Sequence, residues 1–363
     1  MNVRIKVPGK LIVIGEYAVL EGANALVAAV DRYVIVTVST SSEENLCQIT
    51  SNLDSTAFVF TLNESGKLTP KTVSDQNRAN ALKFAITAIE HTCNQISNLD
   101  INLNAFQLHI DTTQFYAMGN KSKYGLGSSA ALTVGVICAL LKFYATDDHL
   151  FKNKLDLFRF AINTHLHAQG NRGSGIDISA SIFGGVSVYN IGLIAKIDTD
   201  PPREKGERLA DLYMMPVWTG VPVSTRQMLS ATDNFKKEDY SGYRETMLAL
   251  KDLSDLGCIA YMNNDKRNFL EIIENYYTVL KNFSDKSKIT IISDVHQKIS
   301  GLIHNAGGIY KPSGAGGGDF GLAFFEDSDA KKRAQHLLRQ NDFILMPLKV
   351  ESNSVAEINN LRL

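Results

Sequence analysis

The hydrophobic pattern of the first half of the chain alternates strand-like segments with helices. Val3–Val7 and Lys10–Val13 predict two short strands on either side of a Pro8–Gly9 turn. Alternating valines predict a further strand over Tyr33–Thr40. Residues 130–143 are apolar on nearly every face, which predicts a buried helix. The other elements predicted here are helices over Asn80–Glu90 and Asp148–Ala168 and strands over Ala105–Ile110 and Val186–Tyr189.

The pattern changes after Asp198. The polar, proline-containing stretch Asp200–Gly206 predicts a linker, and long amphipathic helices follow it. The segments predicted after the linker are a strand over Leu212–Trp218, helices around Tyr243–Leu250 and Phe269–Leu280, a helical run over Lys286–Asn305, a strand over Gly321–Phe325, a helix over Asp329–Arg339 and a strand over Phe343–Val350. This order predicts an α+β fold with two domains, residues 1–205 and 206–363.

Composition narrows the class of protein. The chain has 363 residues, of which 44% are hydrophobic and 21% charged, so it can bury a sizeable core. Its net charge of −1 disfavours a nucleic-acid partner, and its apolar runs are too short to predict a membrane span or a signal peptide. Four cysteines without metal-binding spacing favour a reducing cytoplasm and no zinc site.

The first candidate ligand loop lies before the predicted buried helix. The loop and first turn contain Gly125, Leu126, Gly127, Ser128, Ser129 and Ala130. Glycines allow close approach of the backbone to a ligand, and the free amides and dipole of a helix N-terminus favour a phosphate. The loop has neither the Walker nor the dinucleotide-binding pattern. A tight turn followed by a serine N-cap is the alternative.

Two further loops carry candidate chemistry. Asp177 follows the glycines of Gly170–Gly175, where a carboxylate could accept a proton or simply favour a helix dipole. Residues 307–321 contain seven glycines, a number that favours close approach to a ligand over a flexible loop. Lys10 lies between apolar segments, so its charge requires an anionic partner.

Together these segments resemble the three ordered motifs of the GHMP kinase superfamily. Pro8–Lys10 with Gly15–Tyr17 is similar to the first motif, Gly125–Ala131 to the second and Ser313–Asp319 to the third. Within the superfamily, the form of Ser313–Asp319, the segment His165–Asp177 and the segment Trp218–Thr225 are most similar to the phosphomevalonate kinases. At His165 the chain departs from mevalonate kinases, which usually carry a metal-binding glutamate there.

The resemblance implies an N-terminal domain like ribosomal protein S5 domain 2 and a ferredoxin-like C-terminal domain. It implies transfer of the ATP γ-phosphoryl group to the phosphate of 5-phosphomevalonate, with Mg²⁺ as cofactor. Lys10 and Asp177 are the implied catalytic residues, residues 125–130 bind ATP, and Ser129 binds the metal. The implied substrate-binding residues are Lys10, Tyr17, Arg172, Ser174, Ser313, Gly314, Ala315 and Gly316.

Several alternatives stay open at this point. The second metal ligand is undefined, and Asp177 could act as a base or orient Lys10. Lys123, Arg172 and Arg226 could each bind the acceptor phosphate or be solvated surface charges. The competing functions are a mevalonate, sugar or homoserine kinase, a binding protein without catalysis and an RNA-binding protein. The sequence does not decide between a monomer and a homodimer.

Overall fold

The computed structural model describes residues 2–117, 122–145, 153–191, 209 and 212–357. The strands are β1 (Asn2–Ile14), β2 (Ala25–Thr40), β3 (Cys47–Ser51), β4 (Asp54–Leu62), β5 (Leu68–Pro70), β6 (Phe106–Asp111), β7 (Val186–Tyr189), β8 (Tyr213–Trp218), β9 (Ile309–Ser313), β10 (Phe320–Phe325) and β11 (Ala356–Glu357). The helices are α1 (Val73–Arg78), α2 (Lys83–Ser97), α3 (Ser128–Phe143), α4 (Lys154–Gln169), α5 (Ile176–Phe183), α6 (Thr225–Glu238), α7 (Tyr240–Met262), α8 (Lys266–Ser287), α9 (Asp294–Asn305) and α10 (Ser328–Gln340). The predicted linker Asp200–Gly206 lies outside the described residues.

The strands form two sheets. The eight-stranded sheet has the order β11-β1-β2-β6-β3-β4-β5, with β7 pairing on β2, and its β3–β6 pair is parallel. The three-stranded sheet is antiparallel, in the order β8-β10-β9. The architecture is therefore the predicted mixture of helices and sheets.

The first strand differs from its prediction. Instead of two strands around a turn, β1 is continuous and pairs with β2, with a register shift between Pro8 and Gly9. Proline has no N–H to donate to the strand ladder, and the register shift accommodates the missing hydrogen bond. A β-carbon on Gly9 would lie 2.8 Å from the carbonyl oxygen of Leu126. The irregularity therefore brings β1 directly against the loop before α3.

Helix α3 is the centre of the larger core. It packs on β1 and β2 and also contacts α2, α4 and α5. Burial on all sides accounts for its uniformly apolar sequence, as predicted. Gly135 lets α3 approach the sheet, since a β-carbon there would lie 2.7 Å from Val36. The N-terminus of α3 is thus fixed relative to β1.

The second sheet is covered by helices α8 to α10. The predicted strand over Phe343–Val350 is wrong: this segment forms only isolated bridges, Leu345 with Val217 and Val350 with Val30. The predicted run Lys286–Asn305 is also broken, because α8 ends at Ser287 and α9 begins at Asp294.

The C-terminal segment returns to the first sheet. Its strand β11 pairs with β1, and the N–H of Glu351 donates to the carbonyl of Ala29 at 2.9 Å. Residues 350–357 therefore pack on the sheet of the first half, while the division at residues 205 and 206 stays a prediction. In the described part of the chain, no helix is both long and apolar enough to cross a membrane.

Candidate active site

An ion pair lies where β1 meets α5. The ammonium Nζ of Lys10 lies 3.4 Å from Oδ1 of Asp177. The backbone N–H of Lys10 donates to the carbonyl of Leu126 at 2.9 Å, which ties the strand to the loop before α3. Asp177 is in the first turn of α5, where the helix dipole stabilises its negative charge. The structure thus brings together the two predicted catalytic residues.

The loop before α3 opens on this pair. Gly125 and Gly127 have φ angles of 72° and 78°, a region that glycine adopts without strain. A β-carbon on Gly127 would lie 2.9 Å from Cγ of Lys10 and 3.5 Å from Oδ2 of Asp177. The N-cap residue of α3 is Gly127, so the cap itself supplies no side-chain hydrogen bond to this N-terminus. The amides of its first turn are therefore available to an anion beside Lys10 and Asp177.

The other predicted nucleotide-binding residues surround this opening. Leu126 and Ala130 are buried, whereas Ser128 and Ser129 are half-buried at the start of α3. The hydroxyl of Ser129 lies 3.3 Å from Nε2 of His165. A half-buried hydroxyl oxygen in this place fits the preference of Mg²⁺ for oxygen ligands.

His165 differs chemically from an oxygen ligand. Its ring stacks on Phe84 at 5.1 Å, and burial lowers its pKa, against an opposing effect of the Asp177 charge. A neutral imidazole is a poor ligand for Mg²⁺. Among the described residues, no group of three or more His, Cys, Asp or Glu side chains is arranged to hold a metal.

The third glycine loop packs against β1 and the segment that follows it. The Ser313 hydroxyl accepts from the N–H of Ile12 at 3.0 Å and donates to the Ile12 carbonyl at 2.8 Å. The hydroxyl of Tyr17 donates to the carbonyl of Ala315 at 2.5 Å. These predicted substrate-binding groups therefore already have protein partners, while a β-carbon on Gly314 would meet no atom within 4 Å.

The many glycines of this loop have a structural explanation that differs from the expected one. A β-carbon on Gly316 would lie 2.6 Å from the carbonyl oxygen of Ile291, and one on Gly317 would lie 3.0 Å from that of Thr290. A β-carbon on Gly318 would lie closer still to the carbonyl oxygen of Val221. The close approaches are thus to protein backbone, and composition alone does not distinguish these from approaches to a ligand.

Sequence reasoning missed a buried ion pair beside this loop. The ammonium of Lys311 lies 2.5 Å from Oε1 of Glu16, and both side chains are at most 1% exposed. The N–H of Gly314 also points at Oε1, at 3.4 Å. Glu16 belongs to the first motif, and Lys311 precedes the third, but nothing in the local pattern indicates that they meet. The pair joins β9 to the segment after β1.

Asp319 ends the third motif, and the sequence alone predicts no role for it. Its carboxyl group lies against Gly125, where a β-carbon would overlap it. Burial raises the pKa of Asp319 to about 6, although the Val223 amide and the Lys10 charge oppose the shift. The structure therefore places a third ionisable group at the loop before α3.

The three candidate acceptor-binding cations are all exposed. Arg172 is exposed and reaches α6, where its guanidinium lies 3.3 Å from the Ser230 hydroxyl and 3.7 Å from Asp233. Lys123 is exposed with its ammonium 5.8 Å from the Tyr116 ring centre, and Arg226 is exposed in the first turn of α6.

Ser174 has a local role in the loop that precedes α5. Its hydroxyl accepts a hydrogen bond from the N–H of Ile176 at 3.3 Å. Its carbonyl accepts from the hydroxyl of Tyr189. These bonds hold the turn that presents Asp177, so Ser174 supports the site through the backbone as well as being a predicted substrate contact.

Comparison with known proteins gives matches over the whole fold. Residues 83–185 match the family described as GHMP kinases N terminal domain. A phosphomevalonate kinase of Streptomyces sp. strain CL190 is 27% identical over 355 residues, covering 91% of each chain. A mevalonate kinase of Methanocaldococcus jannaschii is 28% identical over 155 residues, covering 41% of this chain and 44% of the relative.

A solved structure agrees in fold. The phosphomevalonate kinase of Streptococcus pneumoniae, in complex with phosphomevalonate and AMPPNP, superposes with a TM-score of 0.74 at 19% sequence identity. The match covers 95% of this chain and 99% of that one. It extends the shared architecture to both sheets and confirms the predicted fold class.

Proposed function

We propose that the chain is a GHMP kinase that transfers the γ-phosphoryl group of ATP to the phosphate of 5-phosphomevalonate, since residues 83–185 match the N-terminal domain of that family and a phosphomevalonate kinase is 27% identical over 91% of both chains. The products are 5-diphosphomevalonate and ADP. The observation that carries the proposal is the meeting of Lys10, Asp177 and the uncapped N-terminus of α3 at one opening. The similarity to a phosphomevalonate kinase over 91% of both chains supports this acceptor.

Phosphoryl transfer requires alignment and stabilisation of charge more than covalent chemistry by the protein. The amides of Ser128, Ser129 and Ala130 hold the nucleotide phosphates at the start of α3. Lys10 stabilises negative charge on the transferring group, since its ammonium lies beside that loop. Ser129 would hold a Mg²⁺ ion, which would supply further positive charge at the phosphates.

Asp177 orients Lys10 in this proposal. A phosphate acceptor is already largely ionised near pH 7, because its second pKa is about 6. It therefore has little need of a base. At 3.4 Å the carboxylate instead holds the lysine ammonium in place beside the phosphate loop.

Mevalonate kinase is the second candidate function. A mevalonate kinase of Methanocaldococcus jannaschii is among the relatives, and Asp177 lies where it could accept a proton from an alcohol acceptor. The absence of a carboxylate at His165 speaks for the phosphate acceptor. Because the proposed reaction consumes ATP, we propose a cytoplasmic location.

The decisive experiment measures kcat/KM of the unmutated protein for phosphomevalonate and for mevalonate with saturating ATP. The proposal expects a clear preference for phosphomevalonate and formation of the diphosphate. A preference for mevalonate would instead establish the second candidate. Galactose and homoserine complete the set of acceptors, and Lys10→Met controls for contaminating kinases.

A further inference from the structure

Asp319 is held rigidly at the end of the third glycine loop. Its N–H donates to the carbonyl of Val221 at 2.7 Å, and its own carbonyl accepts from the N–H of Thr219 at 2.9 Å. Its φ of 52° lies in the left-handed region, which aspartate adopts more readily than most residues. The backbone therefore fixes the direction of this side chain.

The two carboxyl oxygens of Asp319 have different surroundings. Oδ1 accepts a hydrogen bond from the N–H of Val223 at 3.2 Å. Oδ2 lies against Gly125, the first glycine of the loop before α3. None of the described residues donates a hydrogen bond to Oδ2. This oxygen thus lies at the loop proposed to hold a phosphate, without a donor from the described residues.

The charged groups around Asp319 come from separate elements. Lys10 on β1 and Asp177 on α5 lie against Gly127 of the same loop. His165 on α4 is buried, which lowers its pKa. A bound polyphosphate would therefore meet one lysine and two carboxyl groups at this opening.

A buried histidine also lies near Asp319. His296 on α9 lies 3.1 Å from the carbonyl of Gly318, and burial lowers its pKa to about 4. Tyr124 packs on Phe320, the residue that follows Asp319. Asp319 is the group here whose protonation can follow ligand charge, because burial raises its pKa to about 6.

From this arrangement we infer that Asp319 takes up a proton when the nucleotide binds and then donates a hydrogen bond from Oδ2 to a phosphate oxygen. The inference rests on the proposed nucleotide site. The proton comes from the solvent and stays on Oδ2, and no covalent bond of the ligand changes. An ionised carboxylate at this place would repel the phosphate, whereas the neutral acid supplies a donor.

The first test is calorimetric titration of Mg²⁺–ATP into the protein without an acceptor, in two buffers of different ionisation enthalpy at pH 7. The unmutated protein should take up about one proton per nucleotide more than Asp319→Asn does. The difference between the proteins removes proton exchange by the nucleotide itself. Asn retains an oxygen for the Val223 N–H and can donate where Oδ2–H would.

The second test is the pH dependence of ATP affinity. The affinity of the unmutated protein should fall by about tenfold per pH unit above pH 6 relative to that of Asp319→Asn. Asp252→Asn removes an exposed carboxylate of α7 and should behave as the unmutated protein. Thermal unfolding establishes that each variant is folded.

The outcomes separate the two proposals. ATP binding without extra proton uptake, or parallel pH profiles, overturns the inference about Asp319 alone. A large loss of Mg²⁺ affinity in Asp319→Asn, without proton uptake by the unmutated protein, also overturns it, because the carboxylate would then be a metal ligand. If the unmutated protein binds no ATP, the proposed kinase function fails together with the inference.

Discussion

Two lysine–carboxylate pairs each contain one residue of the first motif, and they differ in burial. Lys311 and Glu16 are 2.5 Å apart with no more than 1% exposure, whereas Lys10 and Asp177 are 3.4 Å apart with side chains 10% and 29% exposed. A buried pair must keep both partners, since either one alone would be an uncompensated charge. A pair open to a cleft can exchange its partner for a ligand.

The difference in burial indicates that one pair stabilises the fold and the other serves catalysis. Glu16 accepts from Lys311 and lies close to the Gly314 N–H, so the buried pair joins β9 and the third loop to the segment after β1. Burial lowers the pKa of Lys311, and the Glu16 charge opposes this shift. Lys10 instead lies beside a loop without side-chain caps. The predictions below test whether stability and catalysis separate in this way.

The largest expected effect is on stability, in Lys311→Met. Removal of the ammonium leaves Glu16 charged and buried, which should lower the free energy of unfolding by about 3–5 kcal/mol. Urea unfolding measures the change. The double variant Glu16→Gln, Lys311→Met should recover much of the loss, and Lys281→Met, an exposed lysine of α8, should be neutral. A single variant as stable as the control would show that the pair is dispensable.

Lys10→Met should lower catalytic activity much more than stability. We expect kcat to fall by at least about 10²–10³-fold, because a group that stabilises developing charge is lost. The free energy of unfolding should change much less than in Lys311→Met, since Asp177 retains contact with solvent. Steady-state kinetics and urea unfolding are measured on the same preparation. Near-normal turnover would remove Lys10 from the catalytic residues.

The sequence predicted both residues of the open pair, Lys10 and Asp177, and the loop beside them. Lys10, Asp177 and Gly127 each lie in a glycine-containing segment, and the ordered motifs indicated that these segments meet. The buried pair was missed because partners 295 residues apart leave no periodic signal. The strand predicted over Phe343–Val350 failed for a related reason: its apolar residues make isolated bridges to two different sheets.

Gly127→Val should block the open site without unfolding the protein. Its β-carbon would lie 2.9 Å from Lys10 Cγ, in the space proposed for a phosphate. At ATP concentrations of 100 Kd the unmutated protein should gain about 2.7 kcal/mol of stability, and the variant should gain little. Gly22→Val is the matched control, because Gly22 has a similar φ of +80° but open surroundings. Equal stabilisation by ATP in both variants would place the nucleotide elsewhere.

The smallest effect is expected for Arg172→Ala, which probes a third pair. Arg172 and Asp233 are 3.7 Å apart and more than half exposed, so their contribution to stability should be at most about 1 kcal/mol. If the arginine leaves Asp233 for the acceptor phosphate, the variant should raise KM for phosphomevalonate several-fold more than KM for ATP. Arg159→Ala, which removes an exposed arginine paired with Asp156, is the control. An equal change in both KM values, or none, would make Arg172 a surface charge and leave acceptor recognition to the amides around Gly314 and to Lys10. The three pairs would then differ in function: the buried pair Lys311–Glu16 stabilises the fold, the open pair Lys10–Asp177 serves catalysis, and the exposed pair Arg172–Asp233 contributes to neither.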